Sequence, residues 1–183
     1  MINLKTPITN EQILALKAGD TVSITGTIYT ARDAAHKKMM ETLDRGEALP
    51  IETNNTIIYY VGPTPAKPGE VIGSAGPTSS YRMDPYAVTL MEKGVKITIG
   101  KGPRSDEFKK ELINHGGVYL SAIGGAAALI SKSIKKADLI AYPELGPEAI
   151  YKLEVENFTA FVTYDSHGGD LLNDGINQFK VIK

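Results

Sequence analysis

Three segments of this sequence place cations, hydroxyls and glycines where a small anion could be held. The first is TARDAAHKKM, in which Arg32, Asp33 and His36 stand where an alternating run gives way to helical spacing. Such strand-to-helix junctions bring side chains and free backbone N–H groups to the carboxyl edge of a sheet, where α/β proteins bind ligands. On a helix, Asp33 and His36 are one turn apart and could touch. The plainer alternative is that Arg32 is a surface cation and Asp33 complements the helix dipole.

The second segment is GSAGPTSSYRMDPY, with Gly73, Gly76, Thr78, Ser79, Ser80 and Arg82 ahead of a helix. Small residues let a backbone approach a ligand, hydroxyls and N–H groups donate to an anion, and an arginine can grip a carboxylate bidentately. The segment lacks the GKS or GKT ending of a nucleotide P-loop and the spacing of a dinucleotide turn, so a small anion fits better. A tight turn capped by serine or threonine is the alternative. In the third segment, IGKGPRSDE, Lys101 lies between two glycines just after a strand-like run, placed to neutralise a carboxylate or to be a solvated loop charge. A fourth, YDSHGGDLL, offers Asp165, His167 and Asp170 as metal ligands, but its Gly-Gly insertion reads more naturally as a turn. Should Arg32, Arg82 and Lys101 converge with Thr78 beside them, the pocket suits a small dicarboxylate.

The elements that must position these residues follow from periodicity. Thr9, with Gln12 three residues on, reads as a capping box opening a helix that Gly19 ends. Val22, Ile24 and Ile28 mark a strand, and Ala31, Ala35, Met39 and Leu43 a helix from about Arg32 to before Gly46. Residues 56–62 form a buried strand and PTPAKPGE a proline-punctuated loop. The sequence then reads as helix, strand VKITIG, a Ser105-capped helix, strand GVYL and helix GGAAALISKSI, with short extended runs such as FTAFVTYD toward the end. Alternating helix and strand over residues 72–142 indicates an α/β layered domain with a parallel component, and no linker divides residues 1–183.

Composition removes several functions. The 183 residues carry 20 Lys+Arg against 21 Asp+Glu, and no basic stripe provides an electrostatic footprint for nucleic acid. The absence of cysteine excludes disulfides, thiol nucleophiles and any thiolate-ligated zinc or iron–sulfur site built by this chain alone. The most apolar stretch, GGVYLSAIGGAAALI, is too short and glycine-rich to span a bilayer, and the N-terminal MINLKTPITNEQ lacks the pattern of a signal peptide. A cytoplasmic protein without membrane association is the expectation.

Taken in order, ARDAAH, GPTSSYRMDPY, GKG, GGVYLSAIGGAAAL and YPELGPEAIYKLEVENF resemble the β subunit, equivalently the C-terminal domain, of the class I, iron–sulfur-dependent fumarate hydratases and the related L-tartrate dehydratases. The resemblance covers nearly the whole chain from about Gly19 to Leu171. It implies a single α/β domain of the swivelling β/β/α type, with a partly parallel sheet or barrel-like core flanked by helices. It also implies docking against a cysteine-bearing α subunit that holds a [4Fe–4S] cluster, and reversible hydration of fumarate to L-malate with the open iron acting as a Lewis acid. By motif, Arg32, Arg82 and Lys101 would bind substrate carboxylates and Thr78 would be the base, with Asp33, His36 and Ser79 in support and no metal ligand from this chain. A threonine base needs neighbouring cations and exclusion of water to make its alkoxide accessible. Ser79 stands where a second threonine is common, Thr159 replaces a frequent proline, and SHGGD departs from a more usual Lys-Gly-Asn form. L-tartrate dehydratase is the nearest competing reading, and a non-catalytic anion-binding module the rival from another class.

Overall fold

A closed barrel of five strands forms the centre of the computed structural model, which describes residues 1–123 and 126–181. The chain enters through β1 (Ile2–Lys5) and α1 (Asn10–Ala15), whose Thr9 and Gln12 make the reciprocal capping box expected of them. The helix stops at Ala15, short of Gly19, which lies in the following turn with φ of 96°. Strand β2 (Thr21–Thr30) leads into α2 (Asp33–Asp44). Of the apolar run at 56–62 only β3 (Ile57–Tyr59) is regular strand, although Tyr60 still donates its N–H to Ile99 O. A 3-10 turn (Ser80–Met83) runs into α3 (Asp84–Glu92), and Pro85 in the first turn of α3 removes an N–H that would have no partner.

Strand β4 (Ile97–Gly100) follows, then α4 (Asp106–Asn114), whose Ser105 cap accepts from Phe108 N–H at 3.1 Å. Next come β5 (Val118–Ser121), α5 (Ala127–Ser133), β6 (Ile134–Ala141), β7 (Ile150–Tyr164) and α6 (Leu171–Phe179). Gly124 and Gly125, at the head of the helix expected in GGAAALISKSI, lie outside the described residues.

Strands β2, β3, β4 and β5 are parallel neighbours, and β7 runs antiparallel between β5 and β2, closing the circle. Barrel-like core and parallel component are therefore both present. Closure depends on the length of β7, which pairs with β2 from Lys152 to Phe161 and with β5 from Phe161 to Tyr164. Inside, Ile24, Ile28, Tyr59, Ile97, Val118, Leu153, Phe158 and Val162 form one apolar cluster. A second cluster fills the space under α2 and α3, with Ala35, Met39, Ile58, Tyr60, Met83 and Leu90. A third, containing Ala87, Met91, Phe108, Leu112, Tyr119 and Tyr164, packs α3 against α4. Two burial faces on each strand explain why 57–59 and 97–100 read as unbroken apolar runs.

The YDSHGGD segment is a turn. Asp165 accepts N–H bonds from Ala18 and His167 at 2.8 Å and from Gly169 at 2.9 Å, while Asp170 caps α6 through Asn173 N–H. Burial alone would raise the Asp165 pKa, but these backbone donors outweigh it and hold the carboxyl below its usual range. Among the described residues no helix is long and apolar enough to cross a membrane.

Candidate functional site

The carboxyl ends of β2, β3 and β4 meet on one rim of the barrel, and Arg32 and Lys101 follow β2 and β4 there. Arg32 follows β2 directly as the N-cap residue of α2, in extended conformation. Its guanidinium lies against Gly62, just beyond β3, where a Cβ would stand 2.8 Å from Arg32 Nη1. Gly62 thus gives the arginine its lane across the rim. Lys101 follows β4, and the 78–80 segment lies beside it. Thr78 N–H donates to Tyr60 O at 2.7 Å, Lys101 N–H to Thr78 O at 3.3 Å, and Ser80 N–H to Lys101 O at 3.0 Å. Ser79 and Lys101 form an isolated parallel bridge. Thr78 is therefore fixed through its backbone, with its side chain half-buried beside an exposed lysine.

Arg82 projects from the 3-10 turn ahead of α3. Its guanidinium forms a fork on Asp33, Nε to Oδ1 at 2.9 Å and Nη2 to Oδ2 at 2.5 Å. Arg32 Nε lies 3.8 Å from the same Oδ2 and 3.5 Å from Glu148 Oε1. Burial tends to raise the Asp33 pKa, yet the Arg82 hydrogen bond and charge prevail and keep it lowered and ionised. Both arginines thus converge on one carboxylate. Glu148, from the YPELGPE motif, joins this group unanticipated, because nothing in its local pattern marks it apart from other acidic residues before a strand.

His36 does not reach Asp33, contrary to the one-turn expectation. The imidazole is fully buried, packed between Tyr60 (ring centroids 5.4 Å apart) and Tyr86 (5.7 Å), because position 36 falls on the core face of α2. Its Nδ1 lies 2.8 Å from Arg32 O. A carbonyl only accepts, so Nδ1 carries the hydrogen, and Nε2, buried without a hydrogen-bond partner, has nothing to receive a second one. Burial pushes its pKa down from 6.5 to about 4. On unfolding the ring takes up a proton below pH 6.5, whereas the folded ring resists until about pH 4. Stability should therefore be complete above pH 6.5 and decline by up to about 3 kcal/mol toward pH 4. Urea titrations across this range check it, with His36→Gln expected to flatten that part of the profile.

Sequence reading also passed over Arg104, three residues beyond Lys101. Its side chain is fully buried, with Nε on Asp84 Oδ1 at 2.5 Å and the guanidinium 3.4 Å over the Phe108 ring. Only the tertiary fold supplies its acidic and aromatic surroundings. A cleft of about 710 Å³ lies alongside, lined by Tyr81, Asp84, Pro85, Val88, Arg104 and Phe108 among others, and none of Arg32, Thr78, Arg82 or Lys101 lines it. The cation group instead lies on the outer rim.

This chain offers no thiolate to an iron–sulfur cluster. It has no cysteine, and the described residues contain no group of three or more His, Asp or Glu side chains able to hold a metal. The rim thus presents two guanidiniums at one carboxylate and, at the end of β4, an exposed lysine bonded through its backbone to Thr78.

Fumarate hydratase 2 of Leishmania major is 42% identical over 174 residues, covering 93% of this chain and 31% of that protein. A putative class I fumarate hydratase of Geobacillus stearothermophilus is 44% identical over 179 residues, covering 95% and 34%. The putative L(+)-tartrate dehydratase subunit beta of Methanocaldococcus jannaschii is 41% identical over 177 residues, covering 91% of this chain and 89% of that subunit. The chain thus spans about a third of the fumarate hydratases and nearly all of the tartrate dehydratase subunit. The profile of the fumarase C-terminus matches residues 1–175, and the chain belongs to that family.

Proposed function

We propose that this chain is the β-type half of a hydro-lyase that reversibly hydrates fumarate to L-malate, working with a cysteine-bearing partner that holds a [4Fe–4S] cluster. The observation that carries the reading is the convergence of Arg32 and Arg82 on a carboxylate. A fork of two N–H donors with a second guanidinium at the same oxygen is how a dicarboxylate end is gripped, and Asp33 occupies that arrangement in the free chain. Lys101, exposed at the end of β4, serves the other carboxylate.

Thr78 supplies the proton exchanged at carbon. In hydration its hydroxyl hydrogen passes to one carbon of the double bond as water oxygen bonds to the other, the proton shed by that water restores the threonine hydroxyl, and dehydration runs the same transfers backwards. An unassisted hydroxyl is a feeble acid and base at neutral pH. A neighbouring cation such as Lys101 lowers the cost of the alkoxide, and a partner closing over the open rim excludes water and strengthens that effect. Positioning and charge stabilisation are this chain's contribution.

Tartrate dehydration is the second reading, favoured by the near full-length match to a tartrate dehydratase β subunit. The test is co-purification with the cysteine-bearing partner, anaerobic cluster reconstitution, and assay on fumarate and both tartrate enantiomers. Fumarate hydration by the complex and none by the separate chain is expected. Hydration by this chain without partner or iron overturns the proposal, and turnover of tartrate alone moves the assignment to the second reading.

A further inference from the structure

Ser80, grouped by sequence with the hydroxyls facing an anion, cannot reach one: it is fully buried. Its Oγ accepts the Lys101 N–H at 3.0 Å and lies 2.9 Å from the Tyr119 hydroxyl, which is itself 3.0 Å from Gly102 O. The single hydrogen of the Tyr119 hydroxyl lies within reach of both Ser80 Oγ and the Gly102 carbonyl, and the Ser80 hydroxyl has Thr78 O as its own acceptor at 3.4 Å. The resulting path runs from Lys101 N–H through Ser80 and Tyr119 to the Gly102 carbonyl, holding the backbone on both sides of Lys101. Burial pushes the Tyr119 hydroxyl up to about 12, so it stays protonated and able to donate.

Other observations show a fitted device. A Cβ on Gly100 would stand 1.8 Å from Ser80 Oγ and 3.0 Å from Tyr60 Cδ2, so only glycine before Lys101 leaves room for the serine. The Tyr119 ring is stacked on Tyr164 at 5.4 Å and meets Phe108 edge-on at 6.1 Å, which fixes the direction of its hydroxyl. Ser80 N–H is bonded to Lys101 O, so the serine also ties the 78–80 segment to the lysine loop.

We propose that Ser80 and Tyr119 are positioning residues that jointly set the register of Thr78 against Lys101. Resting on the hydro-lyase reading for what Thr78 and Lys101 do, the proposal makes the two hydroxyls one unit. The test uses Tyr119→Phe, which keeps the ring and removes the link, and Ser80→Ala in the reconstituted complex. Each is expected to lower kcat/KM for fumarate by about 100-fold, as an ångström-scale misplacement of a reacting group does. The loss should appear in both constants, KM through Lys101 and kcat through Thr78. The double variant should be no worse than either single one, because both break the same path.

Ile24→Val, which opens a small cavity in the barrel core, supplies a control for lost stability. Kinetic constants for Tyr119→Phe within about threefold of this control, a range typical of changes away from a site, overturn the proposal. Amide hydrogen exchange at Lys101 in the full chain gives a readout free of activity. Faster exchange in Tyr119→Phe but not in Ile24→Val is expected, and unchanged exchange sinks the clamp. A wild-type complex without hydration defeats the hydro-lyase reading, leaving the exchange result to decide the clamp.

Discussion

Arg82→Ala in the reconstituted complex should lower kcat/KM for fumarate by about 30- to 5000-fold, corresponding to roughly 2–5 kcal/mol for truncating one partner of a buried charge pair. The size follows from the fork. Two N–H groups of Arg82 already engage both oxygens of Asp33, and a substrate carboxylate closed off by a partner would demand the same directional donors. Arg82→Lys retains the charge but not the fork and should recover only part of the loss. The fold should survive, because the Arg82–Asp33 pair is more than a third exposed on both sides and such pairs contribute little to stability. Steady-state kinetics on complexes of matched cluster content settle the matter. A kcat/KM within about threefold of wild type removes Arg82 from the substrate grip.

The largest loss of stability should come from Arg104→Ala. The arginine is taken wholly out of water, paired with Asp84 and laid over Phe108, with the Tyr119 ring centroid 5.0 Å and the Tyr60 centroid 5.3 Å from its Cζ. Breaking a buried ion pair by removing one partner costs about 3–5 kcal/mol, since the remaining charge is left uncompensated. For a chain of this size that is a drop in Tm of roughly 6–20 °C, measurable by calorimetry. Asp84 would keep only the Ser105 N–H, at 2.7 Å. Removing the second charge as well, in Arg104→Met with Asp84→Asn, should recover much of the loss, because Asn still accepts from Ser105 and no charge is stranded. A Tm drop below about 2 °C for Arg104→Ala means that the pair carries no net stability.

The pair also bears on the rim. Asp84 lies two residues beyond Arg82 and Arg104 three beyond Lys101, so the bridge ties the arginine-bearing turn to the lysine-bearing loop.

Legibility in the sequence followed the range of the forces involved. Helix α1 was readable because its capping box is closed within four residues, and α4 because Ser105 caps it locally. Strands β3, β4 and β5 were readable as apolar runs because both of their faces are covered. Strand β6 was missed: as a partner only to β7 it keeps much of its surface in water, and IKKADLIA carries no burial period. Helix α6 was also missed, although Leu172, Ile176 and Phe179 recur at helical spacing; none of its residues is buried. Strand β1 shows no apolar run because only Leu4 of its four residues is buried.

By itself the sequence determined which residues could grip an anion, that the chain lacks thiolate ligands for a cluster, and that a partly parallel α/β layer would carry the site. Residue type and short-range spacing suffice for these, because donor geometry, glycine approach and helix capping are local properties. Tertiary structure alone decided that Arg32 and Arg82, 50 positions apart, share Asp33, that His36 faces the core, and that Arg104 is buried. Those outcomes depend on closing the barrel through β7 and packing α2, α3 and α4 around it, and long-range burial leaves no local periodicity to read.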